Sequence, residues 1–340
     1  MATTITGTTI DVGPNKLVSD SSGNVTASGV LSDPSGNVRA GRKNIFINGD
    51  FSVNQRGTGA TTGGTYLTAD RWKAGATTVT FETVANDRDL SIANMLKVTS
   101  HTNGYGIIVQ AAEDVRTTSG QNVTLSFWAK TANFSSFRLE LQQNFGSGGS
   151  GTVTVVDNAS YFSVPNTGWN QYTATIAMPS ISGKTVGTSS YLNMVLGPNS
   201  GTSNGITYYS EVQLELGSVA TDFEHRSYGE ELALCQRYYE NSYSTGQYPS
   251  TSTAGNDGLY LLSWADGNSS GFKFTVPKRA IPSVVLRAPN SLTTGQVNSG
   301  GTIRSAVVSA AGSTCIGYLN LTSGTANTYV GFTYEADAEL

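Results

Sequence analysis

Val123, Leu125 and Phe127 alternate with Thr124, Ser126 and Trp128, and the same alternation returns twice more. Phe137, Leu139 and Leu141 are interleaved with Arg138, Glu140 and Gln142; Val212, Leu214 and Leu216 with Glu211, Gln213 and Glu215. A period of two places successive side chains on opposite faces, so these segments predict strands with one face in a core. Shorter runs at 80–84, 95–99, 105–109, 152–156, 171–178 and 191–196 predict further strands between Gly/Ser/Asn loops. Together they describe an antiparallel jelly-roll β-sandwich over residues 44–226. Ser227-Tyr-Gly-Glu230 has the spacing of a capping box, and Leu232, Cys235 and Tyr239, beside Leu234 and Tyr238, form an apolar helical stripe. A linking helix is therefore expected over 227–241. Runs at 259–264, 271–276, 283–287, 303–310, 316–321 and 329–334 then predict a smaller C-terminal β-sandwich over 242–340, with Val276-Pro277 and Ile281-Pro282 at strand ends or edges.

Residues 1–43 differ in kind. They hold no Tyr, Trp or Phe, and their apolar residues stand singly, too few to offset the entropy of ordering the segment alone. Asp20-Ser-Ser-Gly-Asn-Val25 recurs as Asp33-Pro-Ser-Gly-Asn-Val38, and each copy reads as a hairpin tip with Gly at the position of positive φ. The repeat lacks the alternating acids and terminal Glu of an EF-hand. An arm of coreless hairpins is expected to intertwine with copies of itself or dock on another protein.

Composition supports the all-β reading: charged residues make up only 13% of the 340, with 39 Gly, 16 Tyr and one helical segment visible. The net charge of −4 comes without a basic run, which argues against nucleic acid as a partner. Apolar runs all fall short of the ~18 residues of a membrane span, and Met1-Ala-Thr-Thr-Ile-Thr6 lacks the features of a secretory leader. Two cysteines, Cys235 and Cys315, suggest free thiols in a protein made in a reducing cytoplasm.

Candidate chemistry is sparse. Gly146-Ser-Gly-Gly-Ser-Gly151 matches a dinucleotide-binding spacing but precedes a strand rather than the helix a pyrophosphate requires, so it reads as a flexible hairpin loop. His101 and His225 stand far apart without metal-ligand spacing. Glu211 and Glu215 share a strand face at roughly 13 Å between Cα atoms, too far for the paired carboxylates of glycoside hydrolysis. Asp70-Arg71 and Asp87-Arg88-Asp89 read as solvated turn charges or local ion pairs. Trp72, Trp128 and Trp169 lie in or beside strands and are expected in the core. Trp264, followed by the loop Ala265–Ser270, and Tyr243 and Tyr248 in the polar stretch after the helix, are the candidate glycan-stacking residues. No catalytic residue, metal ligand or cofactor is assigned.

Lys43-Asn-Ile-Phe-Ile-Asn-Gly-Asp-Phe51, Asn54-Gln-Arg-Gly57 and Thr68-Ala-Asp-Arg-Trp72 resemble the opening of bacteriophage tail-fibre and related virion proteins. The stretches Tyr209–Gly217 and Thr221–Tyr239 resemble the end of the same module, and Phe274–Pro282 and Tyr334–Leu340 a closing domain such proteins carry. The resemblance covers residues 43–340. It implies a jelly roll like that of carbohydrate-binding modules, on a trimeric projection at the virion surface that adheres to host surface glycan, joined to other virion proteins through the arm. The alternatives are a capsid decoration or head-fibre protein devoted to assembly and a glycan-cleaving tailspike. In such modules Asn-Gly-Asp-Phe and an acidic pair on the last strand hold a structural calcium ion; here Asp50 and Glu211 match, but Gln213 replaces the second acid.

Overall fold

The computed structural model describes residues 43–57, 61–62, 66, 68–75, 79–88, 91–100, 106–198, 205–243, 259–262, 268–289, 291, 293–322 and 328–340, with three short strands before them. Those three are β1 (Thr9–Asp11), β2 (Lys16–Ser19) and β3 (Val25–Ala27), in one antiparallel sheet. The first copy of the repeat falls between β2 and β3, which pair through Ser19↔Val25; the second copy lies outside the described residues.

Eleven strands follow: β4 (Thr61–Thr62), β5 (Lys73–Ala74), β6 (Val79–Ala85), β7 (Asn94–Ser100), β8 (Ile108–Glu113), β9 (Asn122–Thr131), β10 (Ser136–Asn144), β11 (Val153–Ser163), β12 (Asn170–Ala177), β13 (Tyr191–Pro198) and β14 (Gly205–Leu216). They form two antiparallel sheets, ordered β11-β10-β13-β8-β5 and β12-β9-β14-β7-β6-β4, packed as an all-β jelly roll. The alternation in the sequence is what packs them. Val123, Leu125, Phe127 and Ala129 of β9 and Phe137, Leu139 and Leu141 of β10 are all buried in one core. Phe127 lies at its aromatic centre, with Tyr172 stacked at 5.0 Å and Phe162 edge-on at 5.3 Å. Gly146 turns the β10–β11 connection at φ +76°, where a Cβ would lie 2.1 Å from the Thr188 carbonyl oxygen. The glycine-rich run is a hairpin loop, as its sequence position implied, but it packs against Thr188 rather than being the flexible loop expected.

The helix α1 (Tyr228–Gln236) starts at Ser227, whose side chain accepts the Glu230 N–H at 3.3 Å. It is shorter than expected. Tyr239–Asn241 leave the helix as strand β15, because the backbone there pairs with the last strand, Tyr239 opposite Asp337. The inward face also differs: Cys235 is buried as the stripe implied, but so is Glu231, which takes the Asn48 N–H and pairs with Arg226 at 3.3 Å.

The C-terminal unit adds β16 (Leu259–Leu262), β17 (Asn268–Lys273), β18 (Ser283–Arg287), β19 (Gln296–Ser299), β20 (Thr302–Ala311), β21 (Cys315–Leu321) and β22 (Tyr329–Asp337). One sheet runs β15-β22-β19-β20-β21-β17, with β16 and β18 also on β22, around a core of Phe274, Leu286, Val297, Ile316, Leu319, Val330 and Phe332.

The two units meet through charges that the sequence suggests are solvated or locally paired. Asp70 and Arg71 are buried. The Arg71 guanidinium pairs with Glu339, donates to the Ala111 carbonyl at 2.6 Å and lies 3.4 Å from the Tyr238 ring centroid. Arg56 lies 3.5 Å over the Tyr239 ring and reaches Asp70 and Glu339, both at 3.4 Å. Adjacent charges in a sequence do not reveal a partner some 270 positions away, so the local reading failed.

Burial pushes the Asp70 carboxyl up to about 6, against the opposing pull of Arg56 and the Gln55 amide. Its folded value lies above the unfolded one, so its contribution favours the folded state below about pH 4 and is lost as pH rises toward 6. Two units correspond to about 3 kcal/mol. Asp70→Asn should abolish this component: the stability of the parent relative to the variant should fall between pH 4 and 7, as measured by urea unfolding at each pH. A constant difference would show that Asp70 does not titrate in that window.

Candidate functional site

Even-numbered residues of β9 face away from the core, and the far half of that outward face is covered. Thr124 donates to the Gly217 carbonyl at 2.9 Å, and Glu215 accepts from the Thr221 backbone and hydroxyl, each at 2.8 Å. The segment after β14 thus lies over Thr124, Ser126, Gln213 and Glu215, all buried. Towards the other end of the strand that segment no longer covers the face, but the stretch after β6 reaches it: Asn86 donates to the Ser210 hydroxyl at 3.1 Å, and Ser210 is buried. Trp128 stands opposite Gln171 and Ser210, Lys130 opposite Tyr208, and Tyr208 opposite Lys97.

Three aromatic side chains are half-buried there: Trp128, Trp169 and Tyr208. The Lys130 ammonium lies 5.1 Å from the Trp169 ring centroid and 4.7 Å from that of Tyr208, bridging them. The Arg88 guanidinium lies 4.5 Å from the Trp128 centroid. These contacts hold the rings in place by attraction between cation and π face. Each cation also has a carboxylate: Arg88 pairs with Glu211, Lys130 with Asp87, and Lys97 with Glu82 at 2.8 Å. Asp87 accepts the Trp169 indole N–H at 3.0 Å, and the Lys130 hydrogen bond is the largest influence holding its carboxyl below the usual range. The Glu82 hydrogen bond likewise raises the Lys97 ammonium. Among the described residues, three cations against three carboxylates leave the face aromatic and without excess positive charge.

Beside it is a cleft of about 380 Å³, lined by Thr131–Ser135 at the β9–β10 turn and by Val164, Asn166 and Thr167 ahead of β12. Amide, hydroxyl and aromatic groups line it, and Trp169 follows two residues after Thr167.

The structure separates the three tryptophans expected in the core. Trp72 is there, its indole N–H donating to the Asn48 carbonyl at 2.7 Å. Trp128 and Trp169 are not: they belong to the outward face. The signal that finds Trp128 is parity, since a residue next to Phe127 must point the other way in a regular strand. Of the expected glycan-stacking residues, Tyr243 is half-buried, its hydroxyl 3.2 Å from that of Thr333 and 3.4 Å from Arg287. Tyr248 and Trp264 lie outside the described residues.

Glu211 sits on a bulge of β14 at φ 53°, and Val212 bonds the Gly49 carbonyl at 2.9 Å, so the two segments of the calcium motif do adjoin. The Glu211 carboxylate, however, holds Arg88, and the Asp50 carboxylate accepts the Ser52 N–H at 3.1 Å. Among the described residues no three His, Cys, Asp or Glu side chains converge as a metal site. Cys235 is buried, Cys315 is half-buried, and both are free thiols. No helix among the described residues is long and apolar enough to cross a membrane.

No protein-family model and no curated protein matches the chain. Solved structures do resemble it. One is the enzymatically active domain of tailspike protein 4 of bacteriophage CBA120, at 19% identity and TM-score 0.33 over 48% of this chain; this chain spans 22% of that one. A second is the CBM22-2 xylan-binding domain of Paenibacillus barcinonensis Xyn10C, at 19% identity and TM-score 0.31, covering 43% of this chain and 92% of the domain. A third is described as a putative sugar binding protein from Bacteroides thetaiotaomicron, at 15% identity and TM-score 0.35, covering 52% of this chain and 100% of that one. Likeness at this level carries no argument about the ligand.

Proposed function

We propose that this chain is a glycan-adhering protein of a bacteriophage surface, and that the outward face of the six-stranded sheet is where glycan binds. The observation that carries the glycan reading is the group of half-buried rings, Trp128, Trp169 and Tyr208, on the outward face of the sheet, held by Lys130 and Arg88. Aromatic faces bury the C–H surface of a sugar with little side-chain ordering, and rings already fixed by cations lose less freedom still. Because the cations are paired, the face has no excess positive charge to draw a polyanion, so neutral sugars fit it better than acidic ones. The cleft lined by Thr131–Ser135 and Thr167, next in sequence to Lys130 and near Trp169, supplies amides and hydroxyls that on this reading would meet the same glycan.

The virion role rests on the sequence resemblance and on the coreless repeat of residues 1–43, which on this reading fix a trimeric projection to other virion proteins. Adhesion rather than cleavage is the activity proposed: Glu211 and Glu215 are engaged with Arg88 and Thr221. Trp264 and Tyr248 are proposed as a second contact on the C-terminal unit.

Trp169→Ala should weaken adsorption of the purified chain to host cells by tenfold or more with little change in melting temperature, since the ring is half-exposed and outside both cores. Trp264→Ala, tested alongside, should have a smaller effect. Adsorption lost only in Trp264→Ala would move the site to the C-terminal unit. Shortening of host polysaccharide by the parent would replace adhesion with catalysis.

A further inference from the structure

The two sheets of the sandwich end in four edge strands, β11, β5, β12 and β4. Two of these, β4 and β5, have two residues each, too short to template another strand. The third, β11, is interrupted by two register shifts against β10 and carries Asp157, which pairs with Arg138 at 3.3 Å. Short length, bulges and edge charges are the usual means by which a sheet avoids pairing with another chain. In β12 none of them is present. Its eight residues, Asn170-Gln-Tyr-Thr-Ala-Thr-Ile-Ala177, include no charge and no proline, and they pair with β9 in unbroken register from Asn170↔Ala129 to Ala177↔Asn122. Among the described residues, every backbone–backbone hydrogen bond of β12 goes to β9, leaving its other side unpaired.

We infer that this edge pairs with the β12 edge of a second copy of the chain, antiparallel about a two-fold axis normal to the sheet. An isologous contact requires a surface that fits itself. Such an axis keeps each sheet face on its own side, so outward residues must oppose outward residues. We place the axis at Thr173, near the middle of the strand, so that Thr173 stands opposite its own copy and Gln171 opposite Thr175 of the second copy. Those three side chains are exposed and uncharged, so no like charges meet, and Thr–Thr pairs across strands are favourable. A partner of different sequence would have no charge on this edge to select it, whereas a second copy matches it in length, polarity and direction. The two six-stranded sheets become one. Where the glycan reading holds, Trp128 and its counterpart then lie roughly 20 Å apart on a continuous face, given a strand spacing of ~4.8 Å and a rise of ~3.3 Å. That spacing would let one glycan chain or two neighbouring ones engage both copies.

The test is sedimentation velocity on the full chain at micromolar concentration, with Thr173→Lys and Thr173→Glu. Each variant alone puts like charges opposite one another and should have half the mass of the parent, whatever multiple residues 1–43 impose. An equimolar mixture of the two, with Lys facing Glu, should recover the parent mass. A parent mass unchanged in both variants, or a mixture of folded variants that stays at half mass, would overturn the inference. Hydrogen exchange on the parent reads the edge without a mutation: β12 amides should exchange at least tenfold more slowly at high than at low protein concentration. Concentration-independent exchange would count against the pairing. Neither readout involves glycan, so failure here leaves the adhesion reading standing.

Discussion

Phe127→Ala should destabilise the sandwich by about 3–5 kcal/mol, as expected when a fully buried aromatic is truncated and its neighbours only partly collapse. The ring is wholly excluded from solvent and meets Phe137, Phe162, Tyr172 and Tyr209 within 6.5 Å, so the cavity would open among large rigid rings. The next residue should behave differently. Trp128 faces outward, half-buried under Arg88, and its truncation should cost only about 1–2 kcal/mol, from partial burial and one cation–π contact. Urea unfolding of both variants reads the contrast. Equal losses of 3 kcal/mol or more would return Trp128 to the core and remove it from the proposed site.

Glu339→Ala should cost a comparable amount, about 3–5 kcal/mol, for an electrostatic reason. Arg71 is buried and held at φ 69°, with its guanidinium between Glu339, the Ala111 carbonyl and the Tyr238 ring. Removing the carboxylate leaves a positive charge in a site closed to water, with Arg56 close by and also deprived of a partner. Glu339→Gln retains the shape but not the charge and should lose nearly as much. Replacing both residues, Arg71→Met with Glu339→Met, should recover much of the loss, because the desolvated charge is removed together with its partner. A loss under 1 kcal/mol in Glu339→Ala would mean that water reaches the pair.

Much of the architecture was legible because it rests on local alternation. The inward faces of β9, β10 and β14 follow from Val, Leu and Phe at every second position, and the Ser227 cap from a four-residue motif. Features decided by distant partners were not legible. Strand β19 has a single apolar residue, Val297, between Gly295 and Gly300, and it is a strand because β20 and β22 lie on either side of it. The short stretch after α1 reads as a continuing helix until β22 arrives beside it. Arg71 and Asp70 look like turn charges until Glu339, Tyr238 and Arg56 close over them. The proposed site falls between these cases. The parity of Trp128 was available from β9 alone, but that its ring is half-exposed while Ser126 is buried depends on where residues 217–226 cross the face, and on Trp169 being carried to β12 by a turn.

The central claim is that glycan meets this chain on the outward face of β9, β12 and β14. The most direct measurement is a structure of the full chain with oligosaccharide released from the host surface. Sugar rings stacked on Trp128, Trp169 and Tyr208, with the chain continuing towards Asn133 and Asn166, are the expected result. Sugar bound at Trp264 with that face left bare would contradict it.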